Sequence, residues 1–278
     1  MKGSDNLHKA VSILVVSCDE YSDLWDDFFN LKERFWGDCP FETYLVNNSM
    51  DYSRHGVKVI NCGDDAKWSD RMRMAISKVD TPYVCPILED HFICKTVITE
   101  TILSIVDMVI SQNIDYINLG DPFHRKFSDK KYYSEHIIEI PTNRKWGVDT
   151  SAGFWKREFL LKLLGNGSYT AWQFEVDRCE DAKHPERYNN NIILYDERHP
   201  LNVTTIPVVV QGLVYPESIK YFRSIGYTIN TNGREVMTKK QVLINHIKWM
   251  ASSLKNEKIK KLLKVISSKV WGIKFYTN

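Results

Sequence analysis

Residues 12–17, with the sequence SILVVS, form a short apolar run that is rich in β-branched side chains and closed by polar residues. Such a run is typical of a buried strand in a parallel sheet. The next stretch, residues 22–36 (SDLWDDFFNLKERFW), repeats its apolar side chains at helical spacing, with Ser22 as the predicted N-cap. A buried strand that leads directly into a helix predicts the first unit of an α/β sheet.

Strands and helices continue to alternate along the first half of the chain. Further strands are predicted at residues 42–46, 57–60, 83–88 and 116–119, and helices at residues 69–79 and 96–111. This order is typical of a parallel sheet whose strands are joined by crossover helices. We therefore expect an α/β fold with a Rossmann-type, mostly parallel central sheet flanked by helices.

The second half is less regular and begins with a loop-rich segment at residues 120–134. Asp121, His124 and Arg125 in this loop are interpreted as solvated side chains, with ligand contact as the alternative. Strands are predicted at residues 137–140 and 205–210, and helices at residues 155–164 and 171–179. We expect one domain over residues 1–237, with a regular half (about 1–120) and a mixed half (about 121–237).

The composition is that of a folded protein with a sizeable core. The chain has 278 residues, of which 43% are hydrophobic and 12% aromatic, and its formal net charge is only +2. Disordered chains lack the apolar residues for a core, and nucleic-acid-binding domains usually carry a strongly basic surface. Neither disorder nor a nucleic-acid partner is therefore expected.

The six cysteines include no close pair of the kind that binds zinc or carries out redox chemistry. The apolar run near the N-terminus is too short for a signal peptide, and no window is long and apolar enough to cross a bilayer. These features predict a reduced protein located in the cytoplasm.

Residues 238–278 form a basic C-terminal tail with ten lysines and a single acidic residue, Glu257. Seven apolar side chains approximate one helical face, which predicts a basic amphipathic helical segment. They are Leu254, Ile259, Leu262, Leu263, Ile266, Val270 and Trp271. Two interpretations stay open: a helix packed on its own domain, or a peripheral contact with an anionic membrane at the cytoplasmic face of the inner membrane.

The first candidate site follows the strand predicted at residues 12–17 and comprises Ser17, Asp19 and Tyr21. Ligands of open α/β sheets bind outside the carboxyl ends of the strands. A carboxylate there accepts hydrogen bonds from a base or a ribose, and an aromatic ring stacks on a base. The segment lacks the Gly-x-Gly of dinucleotide-binding turns, and an acidic turn without a ligand explains the same residues.

The second candidate site is Glu89, Asp90 and His91, which come directly after the strand predicted at residues 83–88. Hard divalent cations such as Mg²⁺ and Mn²⁺ bind carboxylate oxygens and substrate phosphates. Asp90 and His91 are therefore candidate ligands of a metal that bridges a diphosphate. The alternative is an acidic turn in which Asp90 caps a helix.

The third candidate site is the start of the helix predicted at residues 69–79, where Ser69 and Arg71 lie. Free backbone N–H groups at a helix start and guanidinium groups both bind anions. Ser69 as an N-cap and Arg71 as a surface side chain explain the same pattern without a ligand.

The fourth candidate site is the segment AWQFEVD at residues 171–177, which contains Trp172 and Glu175. Sugar rings pack their C–H faces on indole, so Trp172 is a candidate platform for a sugar. A carboxylate beside aromatic side chains has a raised pKa, which suits a general base that takes a proton from a hydroxyl group. The alternative is an amphipathic helix whose aromatic side chains belong to the core.

Taken together, these segments resemble a family of GT-A glycosyltransferases encoded in bacterial capsule and lipopolysaccharide loci. The resemblance covers about residues 10–215 and rests on five segments in a fixed order. They are residues 12–25 (SILVVSCDEYSDLW), 39–48 (CPFETYLVNN), 67–76 (KWSDRMRMAI), 81–92 (TPYVCPILEDHF) and 151–175 (SAGFWKREFLLKLLGNGSYTAWQFE).

The resemblance implies a GT-A-like fold in which the regular half binds a nucleotide-sugar donor and the mixed half binds a glycan or lipid-linked acceptor. It further implies inverting transfer of a hexosyl or N-acetylhexosaminyl group, with a divalent cation, Mn²⁺ or Mg²⁺, as cofactor. The implied donor-binding residues are Ser17, Asp19, Tyr21, Ser69, Arg71, Glu89 and Asp90; the metal ligands are Asp90 and His91; Trp172 binds the acceptor, and Glu175 is the catalytic base. Because the acidic motif is not Asp-x-Asp, Arg71 and helix N-termini are an alternative to the cation.

Three other functions compete with this one. A retaining transferase on the same fold fits the same residues. A non-catalytic carbohydrate-binding protein of the cell envelope explains the aromatic content and the basic tail, but not the acids after two successive strands. A nucleotidylyltransferase needs a glycine-rich loop with a basic residue after the first strand, and residues 17–24 contain neither.

Overall fold

The structure, a computed structural model, describes residues 7–120, 130–231, 233–253 and 265. The chain divides into two compact units, residues 1–206 and 207–278. The strands of the first unit are β1 (Val11–Val16), β2 (Glu42–Asn47), β3 (Val57–Asn61), β4 (Tyr83–Leu88), β5 (Tyr116–Asn118), β6 (Tyr132–Ser134), β7 (Ile137–Glu139), β8 (Gly153–Lys156) and β9 (Ile193–Asp196). Its helices are α1 (Trp25–Trp36), α2 (Trp68–Lys78), α3 (Thr99–Ser111), α4 (Arg157–Leu164) and α5 (Ala171–Asp181), with short 3-10 helices at Asp19–Leu24 and Pro185–Tyr188.

Among the described residues of the first unit, nine strands form one sheet in the order β3-β2-β1-β4-β8-β5-β9-β7-β6. Strands β1 to β4 are parallel to one another, and β5 is parallel to β9. β8 is antiparallel to both of its neighbours, and β7 is antiparallel to β6 and β9, so seven of the nine strands run in one direction. The predicted α/β fold class, with a mostly parallel central sheet flanked by helices, is confirmed.

Helices cover both faces of this sheet because successive strand residues point to opposite sides. On one face, Leu14 of β1 packs in a hydrophobic cluster with side chains of α2, α4 and α5. On the other face, Trp36 of α1 packs on Phe41 with ring centroids 6.0 Å apart, and the Tyr83 hydroxyl donates to the carbonyl of Val109 in α3 at 2.7 Å. The core therefore consists of two apolar layers, one on each side of the sheet.

Strand β8 lies between β4 and β5 and joins the two parts of the sheet. Trp155 pairs with Val84 of β4, and Gly153 pairs with Asn118 of β5. A Cβ atom at Gly153 would lie 2.3 Å from the carbonyl oxygen of Ile117, so only glycine fits there. Because β8 is antiparallel, its first residue lies at the carboxyl ends of β4 and β5, together with the residues that precede it.

Three local predictions are wrong. Ser22 is not an N-cap, because a 3-10 helix covers Asp19–Leu24 and α1 begins at Trp25. The helix predicted at residues 155–164 begins at Arg157, because Trp155 and Lys156 pair with β4. The strand predicted at 205–210 is limited to Val209–Val210. In the first two cases, tertiary contacts override the local apolar pattern.

The second unit contains β10 (Val209–Val210), β11 (Leu213–Val214), α6 (Pro216–Ser224) and α7 (Lys239–Ser253). Strands β10 and β11 form a hairpin whose turn residues, Gln211 and Gly212, have φ values of 54° and 80°, as a type I′ turn requires. The functional division after residue 237 stays a prediction.

Some predictions fall outside the described residues. They concern Asp121, His124, Arg125 and the seven apolar residues of the predicted amphipathic face. α7 confirms a helix at the start of the predicted tail. In the part of the chain that the structure describes, no helix combines the length and the apolar character needed to cross a membrane.

Candidate active site

The carboxyl ends of β1 and β4 and the start of β8 meet at one edge of the sheet. Val16, the last residue of β1, pairs with Leu88, the last residue of β4. This pairing places residues 17–19 beside residues 89–91. On the far side of β8, the Asn118 side chain donates to the carboxylate of Asp149 at 3.5 Å. The topology therefore gathers polar segments from distant parts of the sequence.

Asp19 ties the end of β1 to the turn after β2. Its carboxylate accepts hydrogen bonds from the backbone N–H groups of Asn48, Ser49 and Met50, each at 3.1 Å, and from the Ser49 hydroxyl at 3.0 Å. Burial raises the pKa of Asp19, but these hydrogen bonds outweigh burial and the pKa is lowered overall. Asp19 is therefore a fixed anion, and its predicted contact with a nucleotide stays a prediction.

Ser17 and Tyr21 flank Asp19 in different environments. Ser17 is buried, and its hydroxyl accepts a hydrogen bond from the indole of Trp25 at 2.7 Å. Tyr21 is partly exposed in the 3-10 helix that follows β1, where its backbone N–H donates to the carbonyl of Cys18 at 2.9 Å. Tyr21 thus has surface available for a ligand.

Arg71 in α2 is a buried cation with incomplete hydrogen bonding. It is only 9% exposed, and its Nη1 donates to the carbonyl of Ala66 at 2.5 Å. Its Nε finds no hydrogen-bond partner among the described residues. Burial and the charge of Glu89 raise the pKa of the Cys18 thiol, whereas the charge of Arg71 lowers it. The charges of Arg71 and Glu89 therefore both act on Cys18, directly after β1.

Ser69 joins α2 to the loop before α5. Its hydroxyl donates to the carbonyl of Gly167 and accepts from the backbone N–H of Tyr169, both at 2.9 Å. Ser69 is fully buried and is not the N-cap, because α2 begins at Trp68. Its predicted contact with a donor stays a prediction.

The acidic motif after β4 forms a tight turn, in which the backbone N–H of His91 donates to the carbonyl of Leu88 at 3.0 Å. Glu89 is buried, whereas Asp90 and His91 are partly exposed. The His91 Nε2 and Asp90 Oδ1 atoms lie 3.8 Å apart. Within the described ranges, no three or more His, Cys, Asp or Glu side chains form a group that could hold a metal ion.

Glu175 in α5 is partly buried and is held by Thr150. Its Oε1 accepts hydrogen bonds from the Thr150 backbone N–H at 3.1 Å and from the Thr150 hydroxyl at 2.5 Å. Burial and the charge of Asp149 raise the pKa of Glu175, and Thr150 and His91 lower it, with a net increase. The electrostatic effect of His91 links this carboxylate to the turn after β4. Glu175 is thus a positioned carboxylate with increased proton affinity.

Trp172 lies one turn before Glu175 on α5 and is 49% exposed. Its ring packs on Trp146, with centroids 5.6 Å apart and planes inclined by 38°. Trp146 has a φ of 62°, a conformation that bulky residues rarely adopt. The predicted platform therefore consists of two indoles.

Three residues of this site, Trp146, Asp149 and Thr150, were not predicted from the sequence. Their segment, residues 146–150 (WGVDT), precedes β8, and they lie about 25 residues before Glu175. The sequence signal that could have identified this segment is an aromatic residue followed by glycine in a polar loop. Only the antiparallel direction of β8 and the position of α5 bring this segment to Glu175.

No protein-family model and no curated protein matches the sequence. Solved structures with a similar fold include residues 1–349 of TarS from S. aureus, at 12% identity and a TM-score of 0.43, covering 96% of this chain and 93% of that one. In a second TarS structure the likeness covers 91% of this chain but only 42% of the other, at 9% identity and a TM-score of 0.43.

A cytidylyltransferase from Leptospira borgpetersenii serovar Hardjo-bovis is similar at 11% identity and a TM-score of 0.43, covering 97% of this chain and all of the other. Because these TM-scores and identities are low, none of the likenesses assigns an activity to the chain. The resemblance to the capsule and lipopolysaccharide family stays a prediction.

Proposed function

We propose that the chain is a glycosyltransferase that moves a hexosyl or N-acetylhexosaminyl group from a nucleotide-sugar donor to a hydroxyl group of a glycan or lipid-linked acceptor. The observation that carries this proposal is the environment of Glu175. Its carboxylate has a raised pKa, is held by Thr150, and lies one helical turn from an exposed indole. A general base for a sugar hydroxyl needs these properties together.

In the proposed reaction, the Glu175 carboxylate takes the proton of the acceptor hydroxyl while the hydroxyl oxygen bonds to the anomeric carbon of the donor. The bond between that carbon and the diphosphate oxygen breaks, and its electron pair leaves with the nucleoside diphosphate. Attack opposite the leaving group inverts the anomeric centre. Thr150 contributes by fixing the carboxylate, because rates depend steeply on the orientation of reacting groups.

On the donor side, the positive charge of the Arg71 guanidinium stabilises the diphosphate. Charge stabilisation by a preorganised donor is strong in a site that excludes water. Tyr21 stacks on the base of the nucleotide, and Ser17, Ser69 and Asp19 hold the segments that border the donor. Glu89 and Asp90 accept hydrogen bonds from the ribose hydroxyl groups.

We propose Asp90 and His91 as the residues that would hold a divalent cation, Mn²⁺ or Mg²⁺. Such cations at substrate phosphates are held by one or two side chains, with phosphate oxygens and water in the other positions. The bound ion would neutralise charge on the leaving diphosphate.

The segment after β1 favours glycosyl transfer over nucleotidyl transfer. Residues 19–24 form a 3-10 helix with Asp19 and Glu20 in its first turn, rather than a glycine-rich phosphate loop. A nucleotidylyltransferase has to bind a nucleoside triphosphate, for which the backbone N–H groups of a glycine-rich loop are suited, and residues 17–24 do not contain such a loop.

The first test is a thermal-shift screen against UDP, GDP, CMP and dTDP, each with and without Mn²⁺. Selective stabilisation identifies the nucleotide of the donor, because a ligand of the folded state raises apparent stability by mass action. Arg71→Gln is expected to remove most of this shift. The matched control is Arg73→Gln, because Arg73 on the same helix already donates to Asp70 at 2.5 Å and to the carbonyl of Gly165 at 3.0 Å.

An unchanged shift in Arg71→Gln contradicts the donor assignment, and the absence of transferred sugar with the stabilising nucleotide's sugar donors contradicts the activity. Product stereochemistry by NMR separates inversion from retention. Membrane contact by the basic tail stays a prediction, which flotation with anionic liposomes tests.

A further inference from the structure

The loop at residues 146–150 is joined to α5 at three points. The Trp146 ring packs on Trp172, the Trp146 backbone N–H donates to the Cys179 sulfur, and Thr150 donates twice to Glu175. Residues 172, 175 and 179 lie on one face of a helix, because three- and four-residue steps return to the same side. The loop therefore runs along the helix face that carries Glu175.

The backbone at Trp146 adopts the left-handed conformation without being glycine. For an aromatic residue this conformation is strained. The contacts with Trp172 and Cys179 hold the residue in this state. Residues kept in rare conformations cluster at ligand-binding sites, where their geometry serves recognition.

We propose that the indoles of Trp146 and Trp172 form a carbohydrate-binding surface that holds a pyranose ring of the acceptor through its C–H face. The ring's hydroxyl groups then lie within reach of Glu175. That the bound sugar belongs to an acceptor rests on the proposed function. Binding of a sugar ring to the two indoles does not depend on it.

The surroundings of the indoles favour a sugar over a lipid surface. Charges of both signs surround them, because the exposed Glu180 pairs with Lys183 and the charge of Lys145, next to Trp146, also acts on Glu180. A surface of mixed charge does not attract anionic headgroups as a polybasic one does. Sites that bind small polar ligands combine aromatic walls with a few polar groups that fix orientation, and Glu175 and Asp149 supply such groups here.

The test is saturation-transfer difference NMR on the full chain, without donor, using the methyl β-glycosides of glucose, galactose and N-acetylglucosamine. We expect saturation of ring C–H protons for at least one glycoside. Trp172→Ala, at a half-exposed position, is expected to fold and to lower affinity about tenfold. Trp146→Ala is expected to act similarly, and Trp146→Phe to keep part of the binding.

The matched control is Tyr132→Ala, because Tyr132 is a 55% exposed aromatic residue on β6. Its removal is expected to leave glycoside binding unchanged. The inference is overturned if no glycoside is saturated, or if Trp172→Ala and Trp146→Ala bind as the wild type does.

Glu175→Gln separates this inference from the proposed function. Its amide still hydrogen-bonds a sugar hydroxyl but cannot take a proton, so transfer is expected to fall steeply while glycoside binding remains. If transfer fails with every donor while the tryptophan variants still lose binding, the proposed function falls and the carbohydrate surface stands. If transfer proceeds and Trp172→Ala leaves the KM for the acceptor unchanged, the carbohydrate surface falls.

Discussion

Asp19 and Glu175 are two carboxylates of the candidate site whose pKa values are shifted in opposite directions. Asp19 accepts hydrogen bonds from three consecutive residues and has a lowered pKa. Glu175 accepts hydrogen bonds from Thr150, and burial and the neighbouring Asp149 raise its pKa. The balance between hydrogen-bond donors and burial therefore separates a structural anion from a proton acceptor.

The largest effect is expected for Glu175→Gln, in which the amide oxygen still accepts from Thr150 but cannot take a proton. The transfer rate is expected to fall by about 10²- to 10⁴-fold, as for removal of a general base. Single-turnover assays with saturating donor measure this loss. Asp177→Asn, on the same helix, is the matched control, and near-normal turnover of Glu175→Gln would remove Glu175 from the role of base.

Asp19→Ala is expected to lower stability, because the N–H groups of residues 48–50 lose their acceptor. Hydrogen bonds to charged groups make the expected loss about 2 kcal/mol. Urea unfolding measures it, with Asp51→Ala, an exposed acid in the neighbouring segment, as the control. Equal unfolding free energies for the two variants would show that the Asp19 carboxylate does not stabilise the turn at residues 48–50.

Asp149→Asn is expected to shift the pH dependence of transfer. The base acts when deprotonated, so the rate rises with pH through the pKa of Glu175. The charge of Asp149 raises this pKa, and its removal moves the acid limb of kcat/KM to lower pH. Glu175 also interacts electrostatically with His91 and Cys179, and Asp149→Asn leaves these two interactions in place. An acid limb that stays in place, or moves to higher pH, contradicts the coupling.

The smallest effect is a gain of stability in Glu175→Gln. A folded-state pKa above the unfolded value contributes stability at low pH that is lost as pH rises through the folded pKa. Glutamine does not ionise, so the variant does not lose this stability. Its Tm is expected to exceed that of the wild type at a pH above the folded-state pKa of Glu175, and to equal it at a pH well below the usual pKa range of glutamate. Calorimetry at both pH values measures the difference, and a pH-independent one would indicate a packing effect.

The sequence was sufficient to predict the parallel part of the fold but not its junction. The apolar runs at β1 and β4 can be recognised as buried strands from the sequence, because runs of apolar residues suit a sheet that is covered on both faces. Trp155 was assigned to a helix, because its apolar neighbours run on into α4. Only its pairing with Val84 makes it a strand residue.

Site prediction had the same limit. Glu89, Asp90 and Glu175 were chosen as acids beside apolar segments, a property that the sequence displays. Asp149 and Trp146 act through contacts with α5 that depend on the path of the loop before β8. A local pattern does not contain that path.

The position of β8 has a consequence for biosynthesis. On the ribosome, β4 and β5 emerge before their shared neighbour, and each keeps an unpaired edge until residues 153–156 have been made. The nascent chain therefore carries open strand edges on β4 and β5 for part of its synthesis, and a translation product that stops before Gly153 keeps them. Such a fragment is expected to depend on chaperones.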